Sequence, residues 1–262
     1  MESAARPEKF EVPDHSQIHH VIAVMSGKGG VGKSSVTALL AATLQKEGHR
    51  VGILDADITG PSIPRILGIH EHPEPFPGGL IPPETKSGIR IMSMNLLLPE
   101  EDDPVIWRGP LIASAVRQFW TDVIWGDLDY LIVDLPPGTG DSPLTVLQSL
   151  PLDGIVIVSS PHEMALMVIR KAIKMARSLQ TPIIGLVENM SGIRCPHCGE
   201  MFSVFGNSRA VVTCKEEGLR FLGSLALDPV LARLSDAGRI EEYEVDFLKQ
   251  IPGILGEMKG VI

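Results

Sequence analysis

The chain has 262 residues, which is long enough for one large α/β domain or two small ones with a sizeable core. Its formal net charge of -9 argues against a nucleic-acid-binding surface and weakly against binding to anionic lipid. Three cysteines are too few for a disulfide framework, and no stretch approaches the roughly 20 apolar residues of a membrane-spanning helix. The first twenty residues lack the apolar centre of a signal peptide, so we expect a protein of the cytoplasm.

Short apolar runs alternate with segments of helical period along the chain, after a polar, flexible arm predicted for residues 1–18. Strands are predicted at residues 21–25, 51–55, 89–94, 130–135, 154–160, 183–190 and 221–227. Helices are predicted at residues 34–47, 111–124, 143–150, 163–179 and 208–217. This alternation, with strand runs that are apolar on both faces, is typical of a doubly wound, mostly parallel sheet covered by helices on both faces. We therefore predict an α/β fold of three layers, with residues 19–262 forming a single domain.

Two stretches interrupt the alternation and are predicted to be surface excursions. Residues 70–88 are dense in proline and glycine, which favour turns over regular structure. Residues 191–207 form an insertion that contains a pair of cysteines, Cys195 and Cys198. The second excursion is therefore a candidate for a separate binding function.

Residues 25–35, MSGKGGVGKSS, contain the pattern G-x-x-x-x-G-K-[ST] of a phosphate-binding loop (P-loop) between a predicted strand and a predicted helix. Glycines in such a loop let backbone N–H groups turn toward nucleotide phosphates, and the following helix adds its positive end. We predict that Lys33 reaches the β- and γ-phosphates of ATP and that the Ser34 hydroxyl ligates Mg²⁺. The residues predicted to bind ATP in this loop are Gly27, Lys28, Gly29, Gly30, Val31, Gly32, Lys33, Ser34 and Ser35.

The loop carries a second lysine, Lys28, which a minimal P-loop does not need. The pattern K-G-G-x-G-K-[ST] resembles the deviant P-loop of the ATPase class that contains MinD, ParA, the nitrogenase iron protein and the Mrp/ApbC iron–sulfur carriers. The resemblance implies that Lys28 crosses a homodimer interface and contacts phosphates bound to the other subunit. A cation that reaches the site when the two subunits close stabilises the charge that develops on the transferring phosphoryl group. The alternative is a solvated loop lysine.

Further polar residues follow predicted strands, at the edge where an open α/β sheet binds its ligand. Asp134 ends the run YLIVD and fits the Walker B role of holding Mg²⁺, and Gly138 in the next loop would let the backbone approach the γ-phosphate. The resemblance implies that Asp57 positions or activates the attacking water and that Asp55 supports the metal and the P-loop. It also places Asn189 at the adenine edge, where an amide can donate and accept. Ordinary capping residues are the alternative for Asp55, Asp57 and Asn189. An ordinary strand-ending aspartate is the alternative for Asp134.

Cys195 and Cys198 lie in the sequence CPHCG, in which one tight turn can direct two thiolates at a single metal ion. Such a site needs four ligands, so a symmetric dimer that pools two pairs would suit either Zn²⁺ or an iron–sulfur cluster. Completion of the site within one chain by Cys214 or a nearby histidine, and a redox dithiol, are the alternatives. If it has no such role, Cys214 is expected to be a buried small apolar residue.

Several longer motifs resemble the Mrp/ApbC-type iron–sulfur cluster carrier ATPases, from about residue 20 to about residue 235. They are DADITGPSIPR, WRGP, DYLIVDLPPGTGD, ENMSG and CPHCGE. The resemblance implies a homodimer in which Cys195 and Cys198 of both subunits hold a 4Fe-4S cluster, with zinc possible in its place. It also implies an ATPase, with ATP or ADP and Mg²⁺ as its cofactor, that delivers the cluster to apoproteins.

Two other functions are weighed against this one. A MinD- or ParA-like positioning ATPase is disfavoured by a tail interrupted by Pro252 and Gly253, a poor membrane helix, and by a pI of about 5.4. A zinc-bridged nucleotide-binding scaffold would not need catalytic residues. The presence of Lys28, Lys33 and Asp57 therefore favours an ATPase. We expect its hydrolysis to be slow and to depend on the dimer. We expect no nucleic acid or membrane as a partner.

Overall fold

The computed structural model describes residues 16–99, 109–161, 163–195, 197–206 and 208–259. The strands are β1 Ser16–Ser26, β2 Val51–Asp55, β3 Glu74–Phe76, β4 Gly79–Ile81, β5 Arg90–Met92, β6 Gly126–Asp134, β7 Gly154–Ser159, β8 Ile183–Glu188, β9 Ile193–Arg194, β10 Met201–Phe202 and β11 Phe221–Ser224. The α-helices are α1 Lys33–Lys46, α2 Ile63–Leu67, α3 Gly109–Thr121, α4 Asp141–Ser149, α5 Glu163–Ser178, α6 Ala210–Glu217, α7 Pro229–Asp236 and α8 Ile251–Lys259. Three 3₁₀ turns lie at Met94–Leu97, Ile240–Glu242 and Asp246–Gln250.

Seven strands form one sheet in the order β11-β8-β7-β1-β6-β2-β5, and every neighbouring pair is parallel. β1 lies in the middle of this sheet, between β6 and β7. The chain passes from β1 to β2 on one side and later continues through β7 and β8 on the other. The carboxyl end of β1 is therefore the point at which an open α/β sheet places its ligand crevice. The predicted α/β fold with a parallel central sheet is confirmed.

Two apolar layers cover the sheet, because successive residues of a strand face opposite sides. Ile22 and Val24 of β1 belong to a core shared with α1, α2, α7 and α8. Ala23 and Met25 belong to the second core, which contains residues of α3, α4, α5 and α6 and the fully buried Trp120. β2 and β7 are buried along their whole length, as strands covered on both faces should be. This confirms helices on both faces of the sheet.

The arm predicted for residues 1–18 is too long by three residues, because β1 begins at Ser16. Residues 16–18 pair in parallel with residues 126–128 at the start of β6, and the Ser16 hydroxyl accepts a hydrogen bond from the Trp125 backbone N–H. Backbone pairing thus incorporates a polar segment into the sheet. The rest of the predicted arm lies outside the described residues.

Both predicted excursions contain small antiparallel hairpins. β3 and β4 pair within residues 70–88, and Leu80 of β4 also bridges to Val123 beyond α3. β9 and β10 pair within residues 191–207, on either side of the cysteine pair. No helix in the described part of the chain combines the length and the apolar character needed to cross a bilayer.

Candidate nucleotide site and cysteine hairpin

The P-loop joins β1 to α1, and its glycines adopt conformations that other residues avoid. Gly30 and Gly32 have φ angles of 77° and 80°, in the left-handed region. A side chain at Gly32 would also collide with Asn189, because its Cβ would lie 2.1 Å from the Asn189 amide nitrogen. The predicted strand–loop–helix arrangement is therefore present, with Lys33 as the first residue of α1.

Asp134, at the end of β6, accepts hydrogen bonds from polar side chains in the first turns of α1. Its Oδ2 accepts hydrogen bonds from Lys33 Nζ and from the Ser34 hydroxyl, both at 2.6 Å, and its Oδ1 accepts one from the Thr37 hydroxyl at 2.6 Å. Asp134 is fully buried and Lys33 is 6% exposed, so this is a buried ion pair with two additional donors. The structure thus brings together Lys33, Ser34 and Asp134, which the sequence predicted to act on one nucleotide.

The Ser34 hydroxyl and the Asp134 carboxylate are suitable ligands for Mg²⁺, which prefers oxygen donors. In this structure the two residues are bonded to each other, and Lys33 is bonded to the same carboxylate oxygen. A nucleotide with its metal would have to replace these contacts, because the same lysine and hydroxyl would then face phosphate and metal. The polar groups of Lys33, Ser34 and Asp134 thus satisfy one another in this arrangement.

Thr37 was not among the predicted site residues. It lies four positions after Lys33, on the same face of α1, and its hydroxyl reaches both the Lys33 carbonyl at 3.1 Å and the Asp134 carboxylate. The spacing of Lys33 and Thr37 could have indicated that both side chains face the strand that ends in Asp134.

We expect Thr37→Val to lower the free energy of unfolding of the nucleotide-free protein by about 1.5–3 kcal/mol, the typical value of a hydrogen bond to a charged group. Urea denaturation would measure this loss. Thr43→Val is the matched control and should cost less, since the one bond that the buried Thr43 hydroxyl forms with a described residue is to the Leu39 carbonyl of its own helix. Equal losses for the two variants would contradict a contribution from Asp134.

Asp57 lies next to this cluster, with Oδ2 3.9 Å from Lys33 Nζ. Burial raises the pKa of Asp57 to about 6, while the Lys33 ammonium opposes this rise. Its carboxylate is thus close to the predicted phosphate-binding lysine and is held at the carboxyl edge of the sheet. This position is compatible with the predicted contact to an attacking water.

Asp55 ends β2 and is fully buried. Its carboxylate accepts hydrogen bonds from the Asp57 N–H at 3.1 Å, the Ser93 hydroxyl at 3.1 Å and the Ile63 N–H at 3.4 Å. Burial, followed by repulsion from Asp134, raises the pKa of Asp55 to about 7. These bonds connect Asp55 to the segment that follows β2 and to Ser93 after β5, and the Lys33 ammonium of the P-loop opposes the rise of its pKa.

Lys28 has an exposed side chain, and its backbone is held in place. The Ser26 hydroxyl donates to the Lys28 carbonyl at 2.9 Å, and the Gly138 N–H donates to the Ser26 carbonyl at 2.9 Å. Within the described residues, no carboxylate forms an ion pair with Lys28. The Lys28 side chain is therefore an exposed cation on a loop whose backbone is held in place, and its contact across a dimer interface stays a prediction.

Asn189 follows β8 and is almost completely buried. Its amide nitrogen donates to the Val31 carbonyl in the P-loop at 2.9 Å, and its amide oxygen accepts from the Met190 N–H at 2.9 Å. The side chain therefore lies against the P-loop, and its contacts are with the protein's own backbone. The adenine contact stays a prediction.

The cysteine pair lies in the connection between β9 and β10. The Cys195 N–H donates to the Glu200 carbonyl and the Gly199 N–H donates to the Cys195 carbonyl, both at 2.9 Å. Backbone N–H groups of Cys198 and His197 donate to the Cys195 sulfur, and together with the Cys198 side chain they lower its pKa. Cys195 is partly exposed and Cys198 is exposed. Such a turn stabilises a thiolate, and binding of a metal by the two sulfurs stays a prediction.

Cys214 does not complete this site. It is 2% exposed, lies on α6, and burial raises the pKa of its thiol to about 11. Across the described ranges, no three histidine, cysteine or acidic side chains come close enough to hold one metal ion. Cys214 is therefore the buried small residue that the sequence suggested, which leaves Cys195 and Cys198 as the candidate thiol ligands.

The chain matches, over residues 17–254, the family described as "ParA: NUBPL iron-transfer P-loop NTPase". The chain belongs to the NUBPL iron-transfer P-loop NTPase family. It is 50% identical to the iron–sulfur cluster carrier protein of Methanocaldococcus jannaschii over 226 residues, which cover 85% of this chain and 78% of the relative. The carrier protein of the same name from Clostridium perfringens is 44% identical over 249 residues, which cover 92% of this chain and 87% of the relative.

Solved structures share the fold of this chain. A nucleotide-binding protein from Archaeoglobus fulgidus, described as a complex with ADP and with cobalt found, is 47% identical, with a TM-score of 0.81 over 90% of this chain and 93% of its own. The cell-division ATPase MinD of Pyrococcus furiosus has a TM-score of 0.64 at 18% identity, over 93% of this chain and all of its own, which shows a shared fold. The predicted resemblance to iron–sulfur carriers is confirmed.

Proposed function

We propose that this chain is an ATP-hydrolysing iron–sulfur cluster carrier that works as a homodimer and delivers its cluster to apoproteins. One observation carries the proposal. A member of an iron-transfer NTPase family combines a buried polar cluster around Lys33 at the P-loop with a pair of thiols that are at least partly exposed. The relatives named iron–sulfur cluster carrier proteins support it. Free thiols at Cys195 and Cys198 need a reducing compartment, for which we propose the cytoplasm.

In the proposed cycle, ATP binds with Lys33 on its β- and γ-phosphates, and Ser34 and Asp134 hold Mg²⁺. The metal, when bound, neutralises phosphate charge. Asp57 orients the attacking water, and Lys28 of the second subunit adds positive charge beside the transferring phosphoryl group. Hydrolysis would then be slow in a monomer and would depend on dimer formation.

The cluster is the cargo, and two subunits would supply its four thiolates. Each chain contributes Cys195 and Cys198, and a two-fold axis between the hairpins would bring both pairs together. Four thiolates suit a 4Fe-4S cluster and also Zn²⁺. Membership of an iron-transfer family favours the cluster.

The test is anaerobic reconstitution with iron and sulfide, followed by analysis of metal and acid-labile sulfide per dimer. The unaltered chain should retain about four iron and four sulfide per dimer, the content of one 4Fe-4S cluster. Cys195→Ala and Cys198→Ala should each lose nearly all of it, because each removes two of the four ligands from the dimer. Cys214→Ala is the matched control and should retain its cluster, since Cys214 is buried away from the pair.

Equal iron and sulfide in the Cys195→Ala protein and in the unaltered chain would refute the cluster assignment. Retention of zinc without sulfide would favour the zinc-bridged scaffold instead. Because all variants keep the P-loop, nucleotide binding by each confirms that the protein is folded.

A further inference from the structure

Asn189 controls the orientation of one P-loop peptide. The carbonyl and N–H of a trans peptide point in opposite directions, and the described residues contain no cis peptide. The Asn189 amide nitrogen holds the Val31 carbonyl at 2.9 Å, so the N–H of Gly32 is directed away from Asn189. In a P-loop, backbone N–H groups of this kind bind phosphate. The direction of one predicted phosphate donor therefore depends on the Asn189 side chain.

The same side chain is tied to the residue that follows it. The side-chain amide oxygen of Asn189 accepts a hydrogen bond from the Met190 N–H at 2.9 Å. The backbone N–H of Asn189 donates to the Ser159 carbonyl of β7 at 2.7 Å. Met190 has a φ angle of 60°, in the left-handed region that a residue other than glycine adopts at a cost of about 1 kcal/mol or more. Movement of the Asn189 amide would therefore act directly on a strained turn.

Beyond this turn the chain leads straight to the cysteines. The Ser191 N–H donates to the Leu225 carbonyl at 2.9 Å, and the Leu227 N–H donates to the Gly192 carbonyl at 2.7 Å. β9 then begins at Ile193, and Cys195 follows β9 directly. Residues 189–195, which we call the linking segment, thus join a P-loop contact at one end to a predicted cluster ligand at the other.

We propose that Asn189 is a positioning residue that couples the nucleotide state of the P-loop to the geometry of the cysteine hairpin. This inference rests on the proposed function, because it assumes that phosphates enter the P-loop. When phosphates bind to Gly32 and its neighbours, the Val31–Gly32 peptide shifts, and the Asn189 amide follows the carbonyl that it holds. The linking segment passes this shift through Met190 to Cys195. Both polar atoms of the amide have this backbone role in addition to any contact with a base.

The test measures the alkylation rates of Cys195 and Cys198 in the cluster-free, full-length protein by mass spectrometry. Rates are compared without nucleotide, with saturating Mg-ADP and with a saturating, non-hydrolysable ATP analogue. In the unaltered chain we expect nucleotide to change the rates several-fold. Cys214 is buried and its labelling serves as a check that the protein stays folded.

Asn189→Ala and Asn189→Asp should lose most of this nucleotide response at saturating nucleotide. Asn189→Asp keeps an acceptor for the Met190 N–H and lacks the donor to the Val31 carbonyl. Comparison with Asn189→Ala, which is neutral, separates the lost P-loop contact from the charge that aspartate adds. Met190→Gly leaves both Asn189 contacts and relaxes the turn, so it should bind nucleotide normally with a weaker response. Asn95→Ala is the control, because Asn95 also donates to a loop carbonyl, that of Pro61, outside the linking segment.

The proposal is overturned if nucleotide does not change the alkylation rates of the unaltered chain. It is also overturned if the Asn189 variants keep the full change in these rates. If the Asn189 variants keep the nucleotide-dependent change in alkylation rates and lose only the preference for ATP over GTP, then Asn189 recognises the adenine base. In that case the coupling role is refuted. The labelling needs no iron or sulfide. Its result therefore stays distinct from a failure of cluster reconstitution.

Discussion

Lys28→Ala is expected to slow ATP hydrolysis by about two to three orders of magnitude, the typical loss when one transition-state donor is removed. Nucleotide binding to the monomer should change little, because the Lys28 side chain is exposed and forms no ion pair with the carboxylates of the described residues. Steady-state phosphate release and equilibrium binding of a fluorescent nucleotide would measure the two quantities. Lys86→Ala removes another exposed loop lysine and should leave both unchanged.

A mixing experiment tests whether Lys28 acts across the dimer. Lys28→Ala and Asp57→Asn should each be nearly inactive alone. In a mixed dimer, the Lys28→Ala subunit keeps its own Asp57 and receives Lys28 from the other subunit, so one of the two sites is complete. Random mixing in equal amounts should restore about a quarter of the normal activity, because half of the dimers are mixed. If mixing restores nothing, Lys28 acts within its own subunit or not at all.

The sequence predicted the central sheet well because its strands are buried on both faces and end in recognisable polar residues. β2 has the predicted bounds, and α1 begins one residue before the predicted start. Three helices were not predicted: α2, α7 and α8. Each has a proline in its first turn, at Pro64, Pro229 and Pro252, where proline is compatible with a helix although it breaks a helix interior.

The candidate nucleotide site was predictable in part, because the spacing of the P-loop motif and the ends of the strands identify Lys33, Ser34 and Asp134 from local sequence. The environments of Asp55 and Asn189 were not. Asp55 bonds the backbone of the turn that follows it, and Asn189 bonds the Val31 carbonyl, 158 positions away. Both depend on how separate segments pack together, which no local pattern records.

The buried ion pair between Lys33 and Asp134 leads to the largest expected effect on stability. Asp134→Leu should lower the free energy of unfolding of the nucleotide-free protein by about 3–5 kcal/mol, because it leaves the Lys33 ammonium buried without its 2.6 Å partner. Lys33→Met should cost less, since the Asp134 carboxylate keeps the hydroxyl donors Ser34 and Thr37. Both variants should lose hydrolysis, because each removes a group that we propose acts on the nucleotide or its metal.

The double variant separates the ion pair from the rest of the site. Lys33→Met combined with Asp134→Leu removes both charges, so urea denaturation should show a loss smaller than the sum of the single losses, with a coupling of about 1–3 kcal/mol. Hydrolysis should stay absent, since apolar side chains can restore packing but cannot bind phosphate or Mg²⁺. Additive losses would mean that Asp57, 3.9 Å from Lys33, replaces Asp134 as the partner of the ammonium. A large coupling would instead show that the nucleotide-free site is held together by the same groups that ATP must separate.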